Sequence, residues 1–339
     1  MAAPAFLPFF SAQRPPLHAD LAGRTVVVAG ASSGAGLEAA RHFARMKPAR
    51  LVLACSDAAR GRDALDDIAK TTRYAAELQL LDHADFASVV AFAKRFKDAP
   101  VDILVCCAAT AQEACRATQD GWEETLQANY LAPALLTVLL VPSFAQAVHA
   151  LDTRARVVLA TAHAHTQARL YALARAPHGL LRACNAPEAR TPERMRGRFA
   201  ETALLSLLFA RALAAHLPRT APLIPVAADA GPAPSPPHNP TISERIYAFV
   251  RGGAHTPEEE GAAQLVYAAV GPDGCAGAHE MHLRGAYVSA GGVRQPSAFV
   301  VGREGWEVQE RLWRETVGVL AEVCPEVGGV VEEYFGGEA

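Results

Sequence analysis

The chain has 339 residues, 51% of them hydrophobic and 20% charged, with a formal charge of −3. That is a globular composition with ample apolar material for a core, and it excludes the basic face that nucleic-acid binding needs. Seven cysteines, an odd number with no Cys-x-x-Cys pair, argue against a disulfide framework and a zinc site and for reduced, cytoplasmic usage, so no metal is expected.

Residues 1–20 read as an N-terminal arm. Its apolar run at 5–10 is short, is split by Pro8 and follows no basic residue, so neither a signal peptide nor a membrane anchor is expected. One domain follows over 21–321, and 322–339 reads as a C-terminal tail. Strand-like runs at 25–29, 50–55, 76–81, 101–106, 154–161 and 223–227 alternate with helical periods at 36–46, 57–71, 86–96, 120–144 and 198–216. The helix at 120–144 runs through Pro133, where a kink is expected. This alternation predicts an α/β fold, a Rossmann-type doubly wound parallel sheet covered on both faces. Two stretches break the rhythm, 164–197 and 231–255, the second opening with five prolines in 231–240. Both follow strands at the carboxyl edge of the sheet, where such folds bind ligands, and read as loop or cap segments of a single domain.

Between the first strand and first helix stands Ala29-Gly30-Ala31-Ser32-Ser33-Gly34-Ala35-Gly36. A glycine-rich turn here lets backbone N–H groups approach a pyrophosphate, whose charge the helix N-terminus favours. With Leu21–Gly30, Leu51-Val52-Leu53-Ala54-Cys55, Leu80-Leu81-Asp82-His83, Val101-Asp102-Ile103-Leu104-Val105, Leu126-Gln127-Ala128-Asn129-Tyr130-Leu131 and Leu208-Phe209-Ala210-Arg211, the chain resembles the short-chain dehydrogenase/reductase family. It looks most like the retinol-dehydrogenase-like members common in fungi.

The resemblance implies roles by position. Gly30, Gly34 and Gly36 would shape the phosphate turn with Ser32 and Ser33. Asp82, followed by His83, would meet the adenine. Cys107-Ala108 stands where the family has Asn-Ala beside the cofactor, and Asn129 matches a helix Asn that holds a water in the family's proton relay. NADP-binding members place an Arg where this chain has Ser56, and NAD-binding members an Asp where it has Cys55. The cofactor is therefore NADP or NAD held weakly, or none.

The family's chemistry rests on a Ser that polarises the carbonyl and on a Tyr-x-x-x-Lys that supplies the proton. The matching positions here are Ala162, Phe199 and Ala203. Tyr171 and Arg175 share the Tyr-x-x-x-cation spacing but lie in the loop, well before the helix. Thr161 is expected to pack on the other face of its strand. His163 and His165 leave the fifth strand where substrate is expected, and Tyr130, Glu201, Asp229, Tyr171 and His178 could approach the same pocket. His163, with Asn129 and Tyr171, is the candidate catalytic set.

Three readings stand. The fold is reused by a non-redox enzyme (a cyclase, isomerase or dehydratase) acting on a small hydrophobic carbonyl compound, in a setting that the fungal resemblance makes secondary metabolism. Alternatively, it is an NADP(H)-dependent oxidoreductase with displaced catalytic groups, or a non-catalytic binding or accessory subunit. The expected partner is a small hydrophobic substrate, with no nucleic acid and no membrane. Family members pair through the helices matching 120–144 and 198–216, so a homo-oligomer is open, although their apolar residues could equally be core.

Overall fold

The computed structural model describes residues 18–111, 114–151, 154–168, 179–221, 223–232, 257–271 and 280–336, with Leu170 and Ala176. The N-terminal arm before His18, Tyr171, Arg175, His178 and nearly all of 231–255 lie outside the described residues.

Eight strands form one sheet in the order β3-β2-β1-β4-β5-β6-β7-β8. They are β1 (Thr25–Ala29), β2 (Arg50–Cys55), β3 (Glu77–Leu80), β4 (Ile103–Cys106), β5 (Ala155–Thr161), β6 (Leu223–Asp229), β7 (Tyr287–Ser289) and β8 (Gly292–Arg294). All neighbours are parallel except β7 and β8. This is the expected doubly wound sheet, whose strand order reverses between β1 and β4. Successive residues of β1 feed opposite layers: Val27 and Ala29 join one core, Val26 and Val28 the other. That two-sided burial is why the strand reads as an unbroken apolar run.

The helices are α1 (Gly34–Arg45), α2 (Ala58–Thr72), α3 (Phe86–Lys94), α4 (Glu124–Leu126), α5 (Ala132–Leu139), α6 (Val141–Leu151), α7 (Leu180–Asn185), α8 (Pro192–His216), α9 (Pro257–Val270), α10 (Ala298–Val301), α11 (Arg303–Val323) and α12 (Glu326–Tyr334). Residues of α1, α2 and α9 pack in one core; those of α3, α5, α8, α11 and α12 pack in the other. The stretch expected to be one helix over 120–144 is broken. A π turn over Gln127–Leu131 joins α4 to α5, and the axis bends by 49° across Leu140 rather than at Pro133. Pro133 has no N–H to give the carbonyl four residues back. That carbonyl, on Asn129, instead accepts the Ser206 hydroxyl at 3.3 Å.

Helix α8 begins earlier than its periodicity suggests. Thr191 is its N-cap, with Pro192 in the first turn, the arrangement favoured at helix starts. By length and apolarity α8 would cross a membrane, as would the bent pair of α4–α5 with α6 taken as one span, but 67% of the apolar window of α8 is buried inside the protein. The segment expected to be a tail carries α12, whose Val327 and Val331 are buried with Phe335 just beyond.

Candidate cofactor and substrate site

The glycine turn is built by close approach. A Cβ on Gly30 (φ +92°) would stand 2.4 Å from the Ala108 nitrogen, and one on Gly36 would stand 2.2 Å from the Gly30 oxygen and 2.7 Å from the Cys107 Sγ. These two glycines let the turn, α1 and the exit of β4 touch. The Ala29 carbonyl accepts the N–H groups of Cys107 and Ala108 at 2.9 and 3.0 Å, and the Cys107 Sγ lies 3.1 Å from it. Burial pushes the Cys107 thiol up to about 12, so it stays protonated.

Gly34 is different. It takes φ +59°, and a Cβ there would meet nothing within 4 Å, so this arc of the turn opens outward. Ser33, at the N-cap of α1, makes no side-chain cap, and Ser32 is half-buried beside it. An open arc at an uncapped helix start is a cradle a pyrophosphate fits. The exits of the next two strands complete the edge. Ser56 and Asp82 are exposed, and the Asp82 carboxylate accepts the Ala84 N–H at 2.9 Å. The His83 ring is instead buried, its Nε2 has no hydrogen-bond partner among the described residues, and burial lowers it to about 4. It is a neutral interior group and not an exposed cofactor contact. One group absent from the sequence expectations reaches this edge: Arg60, exposed on the first turn of α2, donates from Nη2 to Ser33 Oγ at 3.1 Å.

Ala162 directly follows β5, and the helix that carries Phe199 and Ala203 packs on the turn that comes next. Thr161 Oγ1 donates to the Ala203 carbonyl at 2.7 Å, which fixes α8 against the strand end and accounts for a packing Thr161. Ala162 and Ala203 are buried and Phe199 is half-buried. None of the three has a side chain that donates a proton. Asn129 is engaged too. Its side chain holds both backbone groups of Thr110 at 2.8 Å and donates to Thr202 Oγ1 at 3.3 Å. It thereby clasps the loop after β4 onto α8.

The remaining polar candidates are partnered. Tyr130 shares a 2.6 Å hydrogen bond with Thr316 inside the core. Glu201 binds Arg198 at 3.0 Å, and Arg198 lies 3.3 Å from Glu123. Arg198 also donates to the carbonyls of Cys184 and Ala189, so this buried cluster anchors α7 and the start of α8, and with it Phe199. Burial raises the Glu201 carboxyl despite Arg198 and Arg194. Asp229 accepts from Tyr287 and Ser289, each at 3.1 Å. His165 is buried, with Nδ1 on the Ala162 carbonyl at 2.9 Å and Nε2 3.3 Å from the Ser297 nitrogen. A backbone N–H needs a lone pair at Nε2, so Nδ1 carries the proton and the ring is neutral. Burial accordingly lowers its pKa, with His163 acting in the same direction. His163 itself opens the short 3₁₀ turn after β5 and is exposed, its ring 6.3 Å from that of His165. His163 thus stands directly after Ala162 at the exit of β5, where α8 packs.

The short chain dehydrogenase family model matches residues 24–167. A short chain dehydrogenase/reductase of a Cryptosporiopsis species, dmxR8, is 30% identical over 91% of this chain and 94% of its own. The chain belongs to the short-chain dehydrogenase/reductase family. A second fungal member, the short chain dehydrogenase FGM9 of Gibberella zeae, is 27% identical over 95% of this chain and 94% of its own. The WW domain-containing oxidoreductase of Gallus gallus is 37% identical, but over only 43% of this chain and 34% of its own length. Among solved structures, an uncharacterized protein from Mycobacterium Paratuberculosis superposes over 97% of this chain and 99% of its own with a TM-score of 0.57 at 24% identity, a likeness of fold. The doubly wound sheet and the glycine turn that opens it are present among the described residues.

Proposed function

We propose that this protein is a non-redox member of its family, which holds a small hydrophobic carbonyl compound at the β5 exit and moves a proton on it. The observation that supports this reading is exposed His163, directly after Ala162 at the exit of β5 where α8 packs, taken with the resemblance, which sets Ala162, Phe199 and Ala203 at the family's catalytic positions. Hydride delivery to a carbonyl needs a proton donor at the oxygen, and none of those three side chains supplies one. An imidazole takes and returns protons near neutral pH. His163 would remove the proton from the carbon next to the carbonyl, giving an enolate. The imidazolium would then return that proton to another atom of the same molecule. Returned to carbon, it completes an isomerisation. Returned to a departing hydroxyl, it releases water. No electrons leave the substrate in either case.

The glycine cradle suits a nicotinamide dinucleotide, which in this family supplies or accepts hydride. Gly34, Ser32 and Ser33 would hold its pyrophosphate, and Ser56 and Asp82 its adenosine. In this reading it serves as a bound structural element.

The test is His163→Ala. The native substrate is found by comparing metabolites of cells with and without the gene. Conversion of that substrate is expected to fall about a hundredfold, with thermal unfolding unchanged because the side chain is exposed. Full activity in a folded variant overturns the role of His163.

A second reading, an oxidoreductase with displaced catalytic groups, is favoured by one finding, the near full-length match to a relative named a short chain dehydrogenase/reductase. It requires a proton donor from elsewhere in the chain, for which Tyr171 is the candidate by spacing.

A further inference from the structure

We propose that His165 is a pH-sensitive latch, which ties the connection between β8 and α10 to the exit of β5 while its ring is neutral and releases that connection when the ring takes up a proton. The imidazole is buried, only 2% exposed, and its two nitrogens serve the backbone of two different segments. Nδ1 donates to the Ala162 carbonyl at 2.9 Å, within its own turn. Nε2 accepts the Ser297 N–H at 3.3 Å, from a residue 132 positions further along the chain.

The connection offers little else to hold it. Pro296 has no N–H to give. Ser297 is the N-cap of α10, and its side chain makes no cap. The Val301 and Gly302 N–H groups bond to Ser297, Ala298 and Phe299, inside the segment. Among the described residues, the His165 contact is therefore the hydrogen bond that joins the start of α10 to the carboxyl edge of the sheet, the edge where doubly wound folds bind ligands. On one side of the connection Arg294 pairs with Tyr287 in the sheet, and on the other Val300 is buried in the core. Release thus frees a short strap between two fixed points, beside the turn that carries His163.

A protonated ring cannot keep this arrangement. With a proton on Nε2, one N–H would face another, and a cation would sit in the interior without water. Burial accordingly holds the ring below the ordinary histidine value, and the Ala162 carbonyl opposes that shift. Exposed His163, its ring 6.3 Å away, lowers the ring further, and Asp229 of β6 raises it. From β7, Tyr287 meets the ring edge-on at 5.1 Å. Its hydroxyl is held on Asp229 at 3.1 Å and burial keeps its proton in place, so this neighbour is uncharged. Neither α8, packed on the same turn, nor the strap itself adds a charge that acts on the ring, among the described residues. Once released into water, the imidazole titrates near its ordinary value, roughly 6.5. The open form therefore binds the proton more tightly than the closed one, and falling pH draws the equilibrium toward release.

The test is hydrogen exchange of the Ser297 amide in the full chain, followed by NMR at pH 7.5 and at pH 5.0 and corrected for the intrinsic rate at each pH. The wild type is expected to lose about tenfold in protection at the lower pH. The amide of Val157, in the middle of β5, is expected to keep its protection, which marks the opening as local. In His165→Gln, whose side chain is neutral at both pH values, the protection of Ser297 is expected not to change with pH. Equal protection at the two pH values in the wild type overturns the latch. A loss that persists in His165→Gln, or one that Val157 shares in full, overturns it as well.

Discussion

His83 shows what one buried ring does to the whole chain's pH response. It is neutral in the fold, lowered to about 4 by burial, with Nε2 unpartnered. An unfolded chain takes up that proton below about pH 6.5. The unfolded state therefore binds more protons than the native state between about 6.5 and 4, so stability falls as pH drops through that window and levels off below it. His165 adds to the loss in the same direction. For His83 the loss amounts to about 3 kcal/mol across the window. Urea denaturation at pH 7 and pH 4.5 is expected to show a large fall in the wild type and a clearly smaller one in His83→Leu. Equal falls in the two proteins would show that the ring is not held neutral.

At this scale the sequence placed Ala162 at the end of the fifth strand and Phe199 and Ala203 in one helix, as the structure has them, but was a poorer guide to engagements. The occupation of Asn129 by Thr110 and of Asp229 by Tyr287 was not legible, because each pairing joins different segments of the chain; that of Glu201 by Arg198, three residues apart in α8, lay in the spacing but was not read from it. The Arg60–Ser33 contact was not legible either, because it joins the starts of two helices 27 residues apart.

Elements tell a similar story. The six expected strands fell within a residue or two of their bounds, since two-sided burial forces unbroken apolar runs, while β7 and β8, three residues each, were not expected. The early start of α8 was written as Thr191-Pro192 but masked by the arginine-rich composition that follows. The break of the helix over 120–144 depends on a π turn whose freed carbonyl finds Ser206, a contact 77 residues away. Helix α12 was hidden by its small size. Its burial comes from partners elsewhere, with Phe335 just past its end packing 5.1 Å from Trp313. Phe335→Ala is expected to lower unfolding free energy by about 3 kcal/mol in urea titration. A change below about 0.5 kcal/mol would mean that this end of the chain does not belong to the core.

For the whole molecule, the C-terminal helices pack onto the helices that family members pair through. Trp313 of α11 stacks between elements of α8, with Phe209 at 6.0 Å and His216 at 4.8 Å. Val327 and Val331 of α12 join the same core as Leu135 and Leu136 of α5. The apolar faces of the two helices through which family members pair are thus engaged by the chain's own C-terminal segment. Light scattering across a range of concentrations is expected to give the mass of one chain. A stable dimer that Trp313→Ala or Phe335→Ala leaves intact would place the interface elsewhere, and a dimer sensitive to both would contradict the covering role of these helices.

The family's fold and the proposed loss of its hydride-transfer residues make opposite demands, and cofactor oxidation separates them. The purified chain is mixed with NADPH or NADH and a panel of hydrophobic aldehydes, ketones and quinones, and absorbance of the reduced nicotinamide is followed. Because the resemblance sets Ala162, Phe199 and Ala203 at the family's Ser, Tyr and Lys positions, the proposed non-redox function expects no oxidation above the protein-free rate with any of them. Turnover of roughly one per second or more with any carbonyl would contradict the non-redox assignment and show that a displaced group delivers the proton.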